Sequence, residues 1–135
     1  MARIAARAAA VQMVYENMLG GDGGEETLHG LIGLEPDEAD QSYIDELLKG
    51  VEEHQFELDE IIEKHLVNWA LERISRVSLA VLRVAVYEMK FMGDLPDGVI
   101  VNEAVELAKR FDEPQAGRFV NGLLSSVLQD KEGGR

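Results

Sequence analysis

Between Val77 and Val86 the chain runs Val77, Leu79, Ala80, Val81, Leu82, Val84, Ala85 and Val86, with Ser78 and Arg83 as the polar members. Wound into a helix, these residues are apolar on nearly every side. Such a helix is stable in water only when neighbours enclose it. The fold must therefore pack several elements around one central helix. At 135 residues, 46% of them hydrophobic, the chain fits one domain with a real core.

The enclosing elements also read as helices. Ile4, Ala8, Val11, Tyr15 and Met18 recur every three or four residues, which predicts an amphipathic helix over 3–18. Gly20, Gly21, Gly23 and Gly24 end it and open a flexible acidic loop region over 19–35. A weak helix is expected there around Leu28, Leu31 and Ile32. Pro36 opens the next helix, whose buried stripe is Ile44, Leu47, Leu48 and Val51. Leu58, Ile61, Ile62 and Leu66 mark a short one.

Val99-Ile100-Val101 has the look of a strand, but Val101, Ala104, Val105 and Ala108 continue at helical spacing, so helix is expected. Pro114 starts the last helix, carrying Phe119, Val120, Leu123, Leu124, Val127 and Leu128. Its Gly122 is expected to let a neighbouring helix approach closely, and residues 131–135 to form a frayed tail. The expected fold is all-α: one compact bundle of about seven helices spanning 1–135.

Several chemistries drop out. With no cysteine there is no disulfide, thiolate metal site or cysteine nucleophile. Gly21-Asp22-Gly23-Gly24 follows a helix and lacks a Gly-Lys-Ser/Thr, so it is a linker and not a phosphate loop. No metal site is expected from His29, His54 and His65; His54, between Glu53 and Glu57, reads as part of a solvated acidic face. No serine lies in a G-x-S-x-G elbow. No catalytic residue, cofactor or membrane span is expected, and the chain reads as a cytoplasmic protein.

The net charge of −13 argues on average against nucleic acid, whose binding is largely electrostatic. The average hides a segregation. Residues 19–60 hold 14 acids with Lys49 as their one base, and both flanks are close to neutral. A face built from the two ends can attract a polyanion while the acidic stretch points elsewhere. Arg3 and Arg7, four apart, are expected to project from one face of the first helix close to its N-terminal end, with Gln12 and Tyr15 further along it. Near the other end, Lys109, Arg110 and Arg118 bracket Phe111 and Phe119. Cations for phosphates beside rings for splayed bases suit single-stranded RNA. The competing reading makes both phenylalanines core and the charges ordinary helix surface.

These segments resemble the NusB family of transcription antitermination proteins. The likeness lies in Arg3-x-x-Ala6-Arg7-x-x-Ala10-Val11-Gln12-x-x-Tyr15 and in Arg73-Ile74-Ser75-Arg76 followed by Val81-Leu82-Arg83-Val84-Ala85-Val86-Tyr87-Glu88. It continues in Val101-Asn102-Glu103-Ala104-Val105-Glu106-Leu107-Ala108-Lys109-Arg110-Phe111 and in Phe119-Val120-Asn121-Gly122-Leu123-Leu124. The resemblance implies two small helical subdomains, no enzymatic activity, and binding of boxA-type single-stranded RNA in ribosomal RNA leader transcripts. It implies the ribosomal protein NusE as partner and RNA polymerase elongation complexes, with other Nus factors, as the destination. Relatives occur as monomers and dimers, so a homodimer is also admitted.

Carried over by resemblance, the RNA surface is Arg3, Arg7, Gln12, Tyr15, Lys109, Phe111, Gln115, Arg118 and Phe119, and the NusE contact lies near Ser78. Relatives often open with consecutive arginines, whereas this chain has Arg3 and Arg7. Fewer phosphate partners predict weaker RNA binding by the isolated protein. A protein-binding adaptor of the same fold with little RNA affinity of its own is the alternative. A related domain also precedes a methyltransferase domain in some ribosomal RNA cytosine methyltransferases. That reading needs a cofactor-binding α/β domain beyond Arg135 and is set aside.

Overall fold

The computed structural model describes residues 2–20, 38–67, 70–93 and 95–133, with side chains from Ile4 to Lys131. Among these, six α-helices form: α1 (Ala2–Met18), α2 (Glu38–Glu53), α3 (Gln55–Lys64), α4 (Arg76–Tyr87), α5 (Asp97–Phe111) and α6 (Ala116–Gly133). A 3₁₀ turn, Leu71–Arg73, precedes α4, and a π turn, Glu88–Met92, follows it. The weak helix expected around Leu28, Leu31 and Ile32 lies outside the described residues.

α4 is the central helix that its composition demands. Every residue from Ser78 to Tyr87 is buried, and α1, α2, α3, α5 and α6 all pack against it. Its start is set by Ser75, whose Oγ accepts the Ser78 backbone N–H at 3.1 Å. That bond satisfies one of the donors a helix N-terminus leaves unpaired. The π turn ends at Gly93, with φ of +68°, a left-handed cap that costs glycine little.

Residues 99–101 are helical, as their wider spacing predicts. Asp97 lies in the first turn of α5 and Lys109 and Arg110 in its last, each favourable to the helix dipole. The last helix begins at Ala116, two residues after Pro114, because Pro114 and Gln115 form a turn. Of the tail expected over 131–135, residues 131–133 are described, and they are helical instead. α6 runs on to Gly133, and Lys131 is tied down by bonds to the Met89 carbonyl at 2.7 Å and Asp97 at 2.9 Å.

The close-approach glycine is likewise elsewhere. A Cβ on Gly122 meets nothing within 4 Å. On Gly50, in contrast, it would fall 2.1 Å from Cζ of Tyr87, a ring itself stacked on Phe91. Gly50 is thus what lets α2 close onto α4. Gly50→Ala is expected to cost about 1–3 kcal/mol through overpacking, more than offsetting the roughly 1 kcal/mol that alanine gains in helix propensity. Urea denaturation of the variant checks this, and a variant as stable as the parent would show that Tyr87 can swing aside.

Four elements meet at one buried ion pair. Arg7 of α1 donates from Nε to Glu88 Oε1 at 2.6 Å and from Nη2 to Oε2 at 2.8 Å. Tyr43 of α2 donates its hydroxyl to the same Oε2 at 2.7 Å. Glu103 of α5 lies 3.6 Å from Nη1. Arg7 is 2% exposed and Glu88 1%. Burial alone pulls the guanidinium pKa down, but the bonds and charge of Glu88 overcome it, and the net shift is upward. Opposite charges that pair fully can be enclosed where single ones cannot.

Candidate nucleic-acid interface

The C-terminal end of α5, the turn after it and the first turns of α6 carry most of the candidate residues. Lys109 and Arg110 are exposed in the last turn of α5. The Arg110 guanidinium sits 5.0 Å from the centroid of the half-buried Phe111 ring, within cation–π range. Gln115 is exposed in the turn, and its amide donates to Glu113 at 2.7 Å. Arg118 is exposed one helical step later, and Phe119 beside it is half-buried, packed against the core.

Two grooves flank this turn. One, of about 570 Å³, is lined by Lys109, Gln115, Gly117 and Arg118. Gly117 shapes it, because a Cβ there would meet the Lys109 side chain at 2.6 Å. The other, of about 290 Å³, is lined by Gln115, Phe119, Asp112, Ser75, Ser78 and Arg73. A third hollow brings Ile4 of α1 beside Lys109 and Arg110. The start of α1 and the end of α5 therefore share one face, although the Arg3 side chain lies outside the described ones.

Four expected site residues stand apart. Arg7 does not project from an exposed face; it is 2% exposed, and its guanidinium is held by Glu88 inside the core. Gln12 and Tyr15 are half-buried and line none of the three grooves just described. Ser78 is 3% exposed and gives its hydroxyl to Asp112 at 2.7 Å. A partner landing there meets the exposed Ser75 and Arg76 instead.

Asp112 is the residue that sequence reasoning missed. Its Oδ2 accepts from both the Ser75 and Ser78 hydroxyls, and its Oδ1 accepts the Glu113 backbone N–H at 2.8 Å. Partial burial raises the carboxyl pKa, but the three hydrogen bonds together outweigh it and hold the group below its ordinary value. A signal was available: Ser75-x-x-Ser78 at a helix start offers hydroxyls, and Asp112 directly follows the Phe111 helix end.

Where the acidic stretch is described, none of its carboxylates lines the three grooves. Glu38, Asp45, Glu46, Glu52, Glu53, Glu57 and Glu60 are exposed on α2 and α3, and α2 packs on α1, α3 and α4. His54 does bond Glu57, at 2.7 Å, but its ring also stacks on Phe91 with centroids 4.3 Å apart, so it is more than solvated surface. Among the described residues no group of His, Cys, Asp and Glu could hold a metal ion. The one Glu-x-x-His spacing, Glu26 to His29, lies outside them, and a di-iron bundle needs two. No described helix is long and apolar enough to cross a membrane.

Fold and surface together define a small all-helical binding module with clustered bases and aromatics at one turn. The chain belongs to the NusB family, whose model matches residues 4–129. It is 50% identical over 104 residues to the transcription antitermination protein NusB of Bacillus velezensis, covering 77% of each chain. A chain in the crystal structure of a plectonemic RNA supercoil superposes with a TM-score of 0.87 at 29% identity, covering 100% of this chain and 99% of that one. A chain in the crystal structure of antitermination factors NusB and NusE in complex with dsRNA superposes with a TM-score of 0.80 at 30% identity, over 95% and 96%. The family is one of non-enzymatic transcription factors, and no enzymatic activity is assigned to this chain.

Proposed function

We propose that this protein is an RNA-binding transcription antitermination factor. In this reading it binds boxA-type single-stranded RNA of ribosomal RNA leader transcripts together with NusE, in the cytoplasm, and joins RNA polymerase elongation complexes there. The observation that carries the reading is the α5–α6 turn, where exposed Lys109, Arg110 and Arg118 surround the half-buried rings of Phe111 and Phe119. Phosphates and splayed bases need those two chemistries side by side. Arg3, at the adjacent start of α1, supplies a further cation, and Gln115 a hydrogen-bonding amide. The related NusB and NusE structure holds dsRNA; here the proposal rests on single strands, because only an unpaired base can lie against a ring.

The burial of Arg7 sharpens one consequence. With three exposed cations at the turn, the isolated protein binds RNA weakly, and NusE adds the remaining affinity. The test is anisotropy titration of a short boxA-type RNA across a salt series, with and without NusE. Arg118→Ala is expected to lower the magnitude of the salt slope by about one, with no change in melting temperature. Tight binding of duplex RNA but not the single strand would overturn the choice of ligand. NusE binding with no RNA binding, with or without NusE, would instead support the adaptor reading.

A further inference from the structure

We propose that Asp112 is the positioning residue through which protein docking at the start of α4 and RNA binding at the α5–α6 turn raise each other's affinity. The inference rests on the function proposed above and names how its two ligands communicate.

The geometry is a clasp between the start of α4 and the turn after α5. Asp112 caps α5 in extended conformation, with φ of −121° and ψ of −168°. One carboxylate oxygen takes both serine hydroxyls of the first turn of α4, and the other holds the backbone of the turn leading to α6. Ser75 in turn caps α4 through the Ser78 N–H. The carboxylate therefore ties the start of the central helix to the peptide that orients Gln115 and Phe119. The side chains of Ser75, Ser78, Asp112, Gln115 and Phe119 all line one groove of about 290 Å³.

That placement makes the clasp responsive from both sides. Ser75 is exposed and Asp112 half-buried, so water reaches the hydrogen bonds in the free protein. A protein covering the start of α4 excludes that water, and hydrogen bonds to an ionised group strengthen as the local dielectric falls. A tighter clasp fixes the turn and removes part of the ordering cost of RNA binding. RNA seated on Phe119 and Gln115 fixes the same peptide and hands α4 to its partner already ordered. Linkage requires the two effects to be equal.

The test measures RNA affinity by anisotropy with and without saturating NusE, and NusE affinity with and without a boxA-type RNA. In the parent each ligand is expected to tighten the other by about 5- to 150-fold. Asp112→Ala should bring that factor down at least fivefold, the factor being read as a ratio within the variant so that any change in its RNA binding without NusE cancels. Asp112→Asn has the same charge as Asp112→Ala but keeps one acceptor oxygen for the serines while losing the acceptor for the Glu113 N–H, so it should keep part of the coupling that the alanine variant loses. The paired change Ser75→Ala with Ser78→Ala leaves the carboxylate and removes its donors, and it should lose coupling even if Asp112→Ala fails to fold.

Equal coupling in parent and Asp112→Ala would overturn the inference, as would identical losses in the Ala and Asn variants, which would reduce Asp112 to a local charge. A parent that binds both ligands independently also overturns it and leaves the proposed function standing. A parent that binds neither overturns both.

Discussion

Replacing Arg7 with alanine is expected to remove about 3–5 kcal/mol of stability, because it strands a carboxylate in the core. Glu88 is 1% exposed and would keep one bond, from the Tyr43 hydroxyl, in place of three. Against a typical total of about 5–15 kcal/mol, that is a large share. Arg7→Lys should recover only part of it, since an ammonium cannot offer the paired, planar donors that meet both oxygens. Removing both charges together, as Arg7→Met with Glu88→Leu, should be far milder than Arg7→Ala, because no unpaired ion then remains buried. Thermal and urea denaturation of the three variants check the series. An Arg7→Ala protein that melts with the parent but loses RNA would return Arg7 to the interface.

The same residue shows where reading the chain unaided succeeds and where it stops. The all-round apolar run from Val77 to Val86 demanded enclosure, and α4 is enclosed by five helices. The helical spacing through Val101 and Ala108 overrode a local β-like triplet, and α5 is helical there. Both inferences use short-range periodicity, which the chain carries openly. Arg7 depends instead on Glu88, 81 residues away, and its charge suggested a surface position.

A cue was present in its neighbours, Ala6, Ala8, Ala9 and Ala10, all of which are buried. A charge set among small apolar residues is a candidate for a paired interior ion. The same logic applies to Ser78, which lies inside the very run that had to be enclosed. Resemblance marked it as a contact point, and burial makes it a support for Asp112 instead. Gly122 and Gly50 reverse for a related reason: a missing Cβ matters only where another backbone or ring comes close. Which glycine that is follows from helix pairing across the fold, and local spacing does not encode it.

Phe119 is the remaining case in which two readings met, because its ring faces both the core and a groove. The ring is half-buried, packed on the core from one side and lining the groove beside Gln115 from the other. Stacking on a base is worth roughly 1–3 kcal/mol, so Phe119→Ala is expected to weaken RNA binding by about 5- to 150-fold. Because the ring is only partly enclosed, the same change should cost less stability than the roughly 3–5 kcal/mol of a fully buried phenylalanine. Phe119→Leu separates the two roles: leucine retains apolar volume against the core but offers no flat face to a base. It should melt close to the parent and still lose most of the RNA affinity. Titration of a boxA-type RNA against both variants, with circular dichroism melts in parallel, decides the matter. If Phe119→Leu binds RNA as the parent does, the ring serves packing alone, and the interface at this turn reduces to Lys109, Arg110 and Arg118 acting on phosphate.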